Sequence, residues 1–191
     1  MLRASLILFL CGAVLGPVGD LCHVISNTTG YPKEVYAFYF FDLIPFWVPL
    51  LFGSACLFIG ISHALFDLQS RPGTQQYVPY FGVLFFVGVY SLSGYISYPD
   101  IFISFLAVFT WVILDRTWKG ILLAIVTAAV GTFIEMCLVN LGAFYYQSHA
   151  AHFYGVPRWL PWLYVIASVT VGNLGRSLLL SCDDGFPPPR K

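Results

Sequence analysis

The chain is laid out as a succession of apolar runs near helical membrane-crossing length, with little charge inside any of them. A helix needs roughly 20 apolar residues to cross about 30 Å of hydrocarbon. Leu2–Val18, Ile44–Leu65, Val78–Ser97, Ile101–Leu114, Gly120–Tyr146 and Leu160–Leu180 meet or approach that length. A composition of 59% hydrophobic and 9% charged residues is that of a membrane bundle; soluble domains average about 25% charged. The expected fold class is all-α, a polytopic protein with six transmembrane helices in one bundle over residues 1–180. The tail from 181 to 191, with Pro187-Pro188-Pro189, is expected to be disordered.

Orientation follows from the basic residues. Six spans put Arg3, Arg71, Arg116, Lys119, Arg176, Arg190 and Lys191 on one side, and only Lys33 and Arg158 on the other. The asymmetry predicts that both termini are cytoplasmic. It also favours keeping the first span as a helix over removing it as a signal peptide. No Ala-x-Ala cleavage pattern follows it, and Gly12 and Gly16 make a small-xxx-small packing motif.

Zero formal net charge gives no basis for nucleic-acid binding, and five scattered cysteines support neither a disulfide framework nor a metal site. His149 and His152 sit i, i+3 in a short loop without a third ligand, which is a weak metal pattern. No nucleophile triad, zinc-helix or phosphate-loop motif is present. No cofactor is expected.

Chemistry concentrates in few places. Glu135 is the one formal charge near the middle of a predicted span, so it should face the bundle interior or a wet cavity. It is either a polar anchor for a lipid hydroxyl, a proton-handling group, or a packing contact to another helix. Its depth separates it from His63, which lies near the cytoplasmic end of its span. In the last span Ser168, Thr170 and Asn173 offer hydroxyl and amide groups, with Thr170 and Asn173 on one face. That span opens on Trp159 and Trp162 and closes on Arg176, as interfacial anchors at its two ends would. Asp115-Arg116 ends the fourth span as a topology anchor or a docking point, with Asp67 a weaker counterpart. Gly120, Gly131 and Gly142 recur on one helical face, as close-packing glycines do.

These residues resemble the Insig (insulin-induced gene) family. Trp159-Leu160-Pro161 and Thr170-Val171-Gly172-Asn173-Leu174-Gly175-Arg176 are similar to that family's last helix. Leu114-Asp115-Arg116 with Gly120 is similar to the end of its fourth helix, and Trp47-Val48-Pro49 with Gly53, Ala55, Gly60 and Asp67 to its second. Phe86-Val87-Gly88 has a counterpart in the third. The resemblance implies a non-enzymatic regulator in the endoplasmic reticulum membrane, or in the inner membrane of a bacterium, that binds a sterol or other neutral lipid in its bundle. It also implies sterol-sensing membrane proteins as partners in a eukaryotic host, with Asp115 as a docking residue. Glu135 stands where the family usually has an uncharged amide. Phe86, Trp111, Glu135, Thr170 and Asn173 are therefore the candidate ligand-binding residues, and Asp115 and Arg116 the candidate partner-binding ones. The competing reading is a small intramembrane isomerase or hydratase of a terpenoid or sterol, with Glu135 as acid and base.

Overall fold

The computed structural model describes residues 1–67 and 78–181. Arg71, Arg190, Lys191, the side chain of Asp67 and the tail beyond Ser181 lie outside the described residues.

Among the described residues six helices form: α1 (Leu2–Ile25), α2 (Trp47–Asp67), α3 (Val78–Ser93), α4 (Pro99–Leu114), α5 (Trp118–Asn140) and α6 (Leu160–Ser181). Three of them, α1, α2 and α5, are long and apolar enough to cross a bilayer on length and composition alone. At 16 residues each, α3 and α4 rise about 24 Å. Exposed Leu6, Leu10, Phe81, Leu84, Phe105, Phe109, Ile125 and Phe133 make an apolar exterior suited to acyl chains.

The helix boundaries differ from those read in the sequence at three turns. Apolar α1 continues past Val18 to Ile25, carrying Asp20 and His23 into the bundle, where both are buried. The third helix stops at Ser93 because its last carbonyls meet partners from elsewhere in the chain. His23 Nε2 lies 2.9 Å from Tyr90 O, and Thr28 Oγ1 donates to Gly94 O at 3.1 Å. The fifth helix ends at Asn140, short of Tyr146, because Gly142 turns the chain left-handed at φ +71°. Gly142 therefore belongs to a turn and is not a packing glycine of that helix. At the other end of α5, Thr117 is the N-cap, its Oγ1 accepting from Gly120 N at 2.9 Å.

The last helix is the axis of the bundle. It packs against α2, α3, α4 and α5, and every residue from Ile166 to Arg176 is buried. This reverses the interfacial reading for Trp159 and Arg176, while Trp162 is exposed. Trp159 is buried edge-on to the His23 ring, 5.5 Å between centroids. Arg176 is 3% exposed and paired with Asp115. A helix walled by protein can carry small polar residues that lipid would penalise, which is why α6 is the least hydrophobic of the six.

Glycines set how closely the helices approach. A Cβ on Gly12 would stand 2.4 Å from Phe52 O, and one on Gly16 2.3 Å from Phe52 Cγ, so α1 and α2 cross at the small-xxx-small motif. At the end of the bundle opposite Arg3 and Arg176, two short antiparallel pairings tie the loops together. These are β1 (Thr29–Gly30) with β4 (Tyr145–Tyr146), and β2 (Tyr39–Phe40) with β3 (Ile44–Pro45).

Candidate functional site

Both α2 and α5 pack on α6 but barely touch each other. Between them lies a cavity of about 360 Å³. Its walls are apolar: Val48, Leu51, Phe52, Ala55, Phe58 and Ile59 from α2, and Leu123, Val126, Val130, Gly131, Ile134 and Leu138 from α5. Several of these wall residues are also open to the exterior, Phe58 at 71% and Val130 at 51%. The cavity therefore opens sideways, toward lipid, between the two helices.

Its end nearest the paired loops is polar. Asp20 arrives there from α1, Glu135 from α5, Tyr90 from α3, Tyr164 from α6, and Tyr31 and Tyr146 from the loops. Each carboxyl collects two phenols. Tyr31 and Tyr90 donate to Asp20, at 2.6 and 3.5 Å. Tyr164 donates to Glu135 Oε1 at 2.6 Å and Tyr146 to Oε2 at 2.5 Å. Burial, and the acids beside them, hold the loop tyrosines Tyr31 and Tyr146 well above the usual phenol range, so both remain protonated donors. Gly131 leaves room for one of these rings: a Cβ there would stand 2.5 Å from Tyr164 Cε1.

The opposite end of the cavity is more modestly polar. His63 and Ser62 reach it from α2 and Thr127 from α5. His63 Nε2 is 2.9 Å from Ser168 Oγ, which in turn is 3.2 Å from Thr127 Oγ1. Thus His63 and Glu135 do line one cavity, at opposite ends of it, and are not a dyad.

Of the five residues that the sequence offers for ligand binding, Glu135 lines the cavity. Thr170 does not; its hydroxyl donates back to Ile166 O and Ala167 O of its own helix, at 2.9 and 3.2 Å. Asn173 donates to Leu114 O at 3.0 Å and accepts from Arg176 at 3.4 Å, holding the end of α4 onto α6. Phe86 stacks on Tyr90, centroids 6.0 Å apart, behind the cavity wall. Trp111 donates from Nε1 to Thr117 O at 3.2 Å, in the turn between α4 and α5.

That turn also holds the two candidate docking residues, and it separates them. Asp115 is drawn inside: Arg176 Nη1 donates to its Oδ2 at 2.8 Å, and Thr117 donates to Oδ1 through both backbone and hydroxyl. Its carboxylate sits so close over the start of α5 that a Cβ on Gly120 would lie 2.1 Å from Oδ2. Arg116, at φ +58°, is exposed.

Sequence reasoning did not find Asp20 or the four tyrosines. Asp20 had a signal, an acid two residues past the apolar run; the tyrosines looked like any interfacial aromatic.

No family model matches the chain. Among curated proteins, it is 30% identical over 189 residues to the human insulin-induced gene 1 protein, covering 94% of this chain and 67% of the human protein. It is 29% identical to the protein of the same name from Danio rerio, covering 94% of this chain and 74% of that one. Its fold matches the crystal structure of an Insig homologue from Mycobacterium vanbaalenii with a TM-score of 0.86 and 28% identity, covering 97% of this chain and 98% of the other. Sequence and architecture agree, and the chain belongs to the Insig family of integral membrane proteins.

Proposed function

We propose that this protein is a lipid-binding membrane regulator without catalytic activity, and that the cavity between α2 and α5 is where a sterol-like or other amphipathic lipid sits. The observation that carries this reading is the pairing of a sideways opening with a polar end. A lipid enters from the bilayer, lays its apolar body against Phe52, Ala55, Phe58, Val126 and Val130, and turns its head toward Glu135 and Asp20. Pockets of this type bury most of a ligand against apolar walls and orient it with a few polar groups. Of the residues named from sequence, Glu135 is the one that supports this role directly; Phe86 backs the wall through Tyr90, Asn173 holds α4 onto α6, Trp111 holds the α4–α5 turn, and Thr170 is bonded within its own helix.

Regulation then passes through other membrane proteins, and sterol-sensing proteins are the class expected in a eukaryotic host. Exposed Arg116 and Trp118 are the groups at the α4–α5 turn that a partner touches, while Asp115 acts on that contact from inside, by fixing the turn.

The direct test is a block at the mouth. Ala55→Trp fills the passage between α2 and α5 without touching the polar end. A photoreactive sterol that labels the wild-type protein should lose most of its labelling in this variant, and lipids that co-purify with the wild type should fall in mass spectra. Equal labelling of the two proteins would overturn the reading.

A further inference from the structure

The polar end of the cavity is one-sided in its hydrogen-bonding. All four phenol protons there are directed at the two carboxyls, Tyr31 and Tyr90 at Asp20, Tyr146 and Tyr164 at Glu135. What remains for a ligand is acceptor capacity: spare lone pairs on the two carboxyls and on the phenol oxygens. Among the described residues no lysine or arginine lines the cavity, so nothing of positive charge faces the two acids. A donor beside Tyr31 stands outside this arrangement. The Trp47 indole Nε1 is buried without a hydrogen-bond partner, and Trp47 lines the same cavity. An indole N–H that is buried ordinarily finds an acceptor, so a lipid oxygen laid against this wall would be bonded by Trp47.

We propose that this end of the cavity receives the ammonium group of a long-chain amino alcohol. The inference rests on the lipid-binding reading and narrows it to a headgroup class. A protonated amine brings three donors and one positive charge to two acids held on separate helices, and charge-assisted hydrogen bonds are about twice as strong as neutral ones. The neighbouring hydroxyl oxygen supplies the acceptor that Trp47 Nε1 lacks. A simple alcohol brings a single donor and no charge. A fatty acid or an anionic phospholipid head brings negative charge to two carboxyls and is disfavoured. The opening between α2 and α5 leaves the hydrocarbon tail free to extend into the bilayer, so chain length is not selected.

The test is a competition on the full chain in lipid nanodiscs, using a photoreactive long-chain alcohol as the label. Competitors are sphinganine, N-acetylsphinganine, octadecan-1-ol and stearate. Sphinganine should compete at least tenfold better than its N-acetyl form or octadecan-1-ol. Glu135→Gln and Asp20→Asn should each shrink that advantage. The proposal is overturned if N-acetylsphinganine or stearate competes as well as sphinganine on the wild type. It is equally overturned if the preference survives in the Asp20→Asn/Glu135→Gln double variant. The wild-type comparison reads the preference whether or not a variant folds. Failure of the lipid-binding reading looks different: the alcohol label itself does not attach at the cavity, and Ala55→Trp leaves its yield unchanged.

Discussion

Arg176, five residues from the end of α6, donates from Nη1 to Asp115 Oδ2 at 2.8 Å, with the two side chains 3% and 0% exposed. The pair ties the turn after α4 to the central helix and sets where α5 begins. Thr117 and Gly120 complete it, one by donating to the carboxylate and the other by leaving it space. A carboxylate over the first turn of a helix also meets the positive end of its dipole. The Leu-Asp-Arg and Gly-Arg motifs, far apart in the chain, are thus two halves of one joint.

Breaking that joint from either side should be severe. Removing one partner of a buried pair leaves the other charge uncompensated and costs about 3–5 kcal/mol. Asp115→Ala and Arg176→Ala should therefore both lower the thermal midpoint of the detergent-solubilised protein, and Asp115→Asn, which keeps one of the two acceptor oxygens and the side chain's volume, should lower it less. Arg116→Ala, on the exposed side of the same turn, should leave the midpoint unchanged. If Asp115→Ala proves as stable as wild type while partner capture is lost, Asp115 is a contact residue and the internal role assigned to it here is wrong.

Much of this architecture was legible in the sequence because the bilayer imposes a simple rule, that apolar runs of sufficient length become helices. The order and number of helices followed from it. What escaped was set by contacts between distant segments. Asp20 lies beyond the apolar run at Val18, yet the helix carries on because Tyr31 and Tyr90 donate to that carboxyl inside the bundle. Glu135 was visible as an isolated acid, but Tyr146 and Tyr164, its two donors, come from a loop and from another helix. Thr170 and Asn173 looked like ligand groups because hydroxyls and amides are rare in spans. Their bonds to Ile166 and Leu114 show them spent within the protein. The family motifs marked the right segments, but several of their residues serve the joint between helices and not the cavity.

The two tyrosines on Glu135 should be separable by experiment. Each donates one hydrogen bond to a buried carboxyl, and leaving a buried acceptor unpaired costs about 1–3 kcal/mol. Tyr164→Phe and Tyr146→Phe should each destabilise the protein by an amount of that order. They should differ in where the damage appears. Tyr146 belongs to β4, which pairs with Thr29–Gly30, so its loss frees the loops at that end. Hydrogen exchange of the 29–31 and 144–147 amides should rise in Tyr146→Phe and stay near wild type in Tyr164→Phe. Equal protection of those amides in both variants would mean that the tyrosine does not anchor the loops.

Helix contact at glycine gives the sharpest contrast. At Gly175 a Cβ would lie 2.2 Å from Gly60 O and 2.5 Å from Gly60 Cα, so α6 and α2 meet backbone to backbone and no rotamer can relieve the clash. At Gly88, on α3, a Cβ would meet nothing within 4 Å. The same substitution should therefore have opposite signs at the two sites. Gly175→Ala must push α2 off the central helix, and overpacking of this kind costs about 1–3 kcal/mol. Because α2 forms one wall of the cavity, labelling by a photoreactive lipid should fall as well. Gly88→Ala meets no obstacle and removes backbone freedom from the unfolded chain, for a gain of up to about 1 kcal/mol. Thermal midpoints of the two purified variants, measured side by side in one detergent, decide the matter. A Gly175→Ala protein as stable as Gly88→Ala would mean that α2 and α6 do not cross at Gly60, and the cavity wall built on that crossing would have to be redrawn.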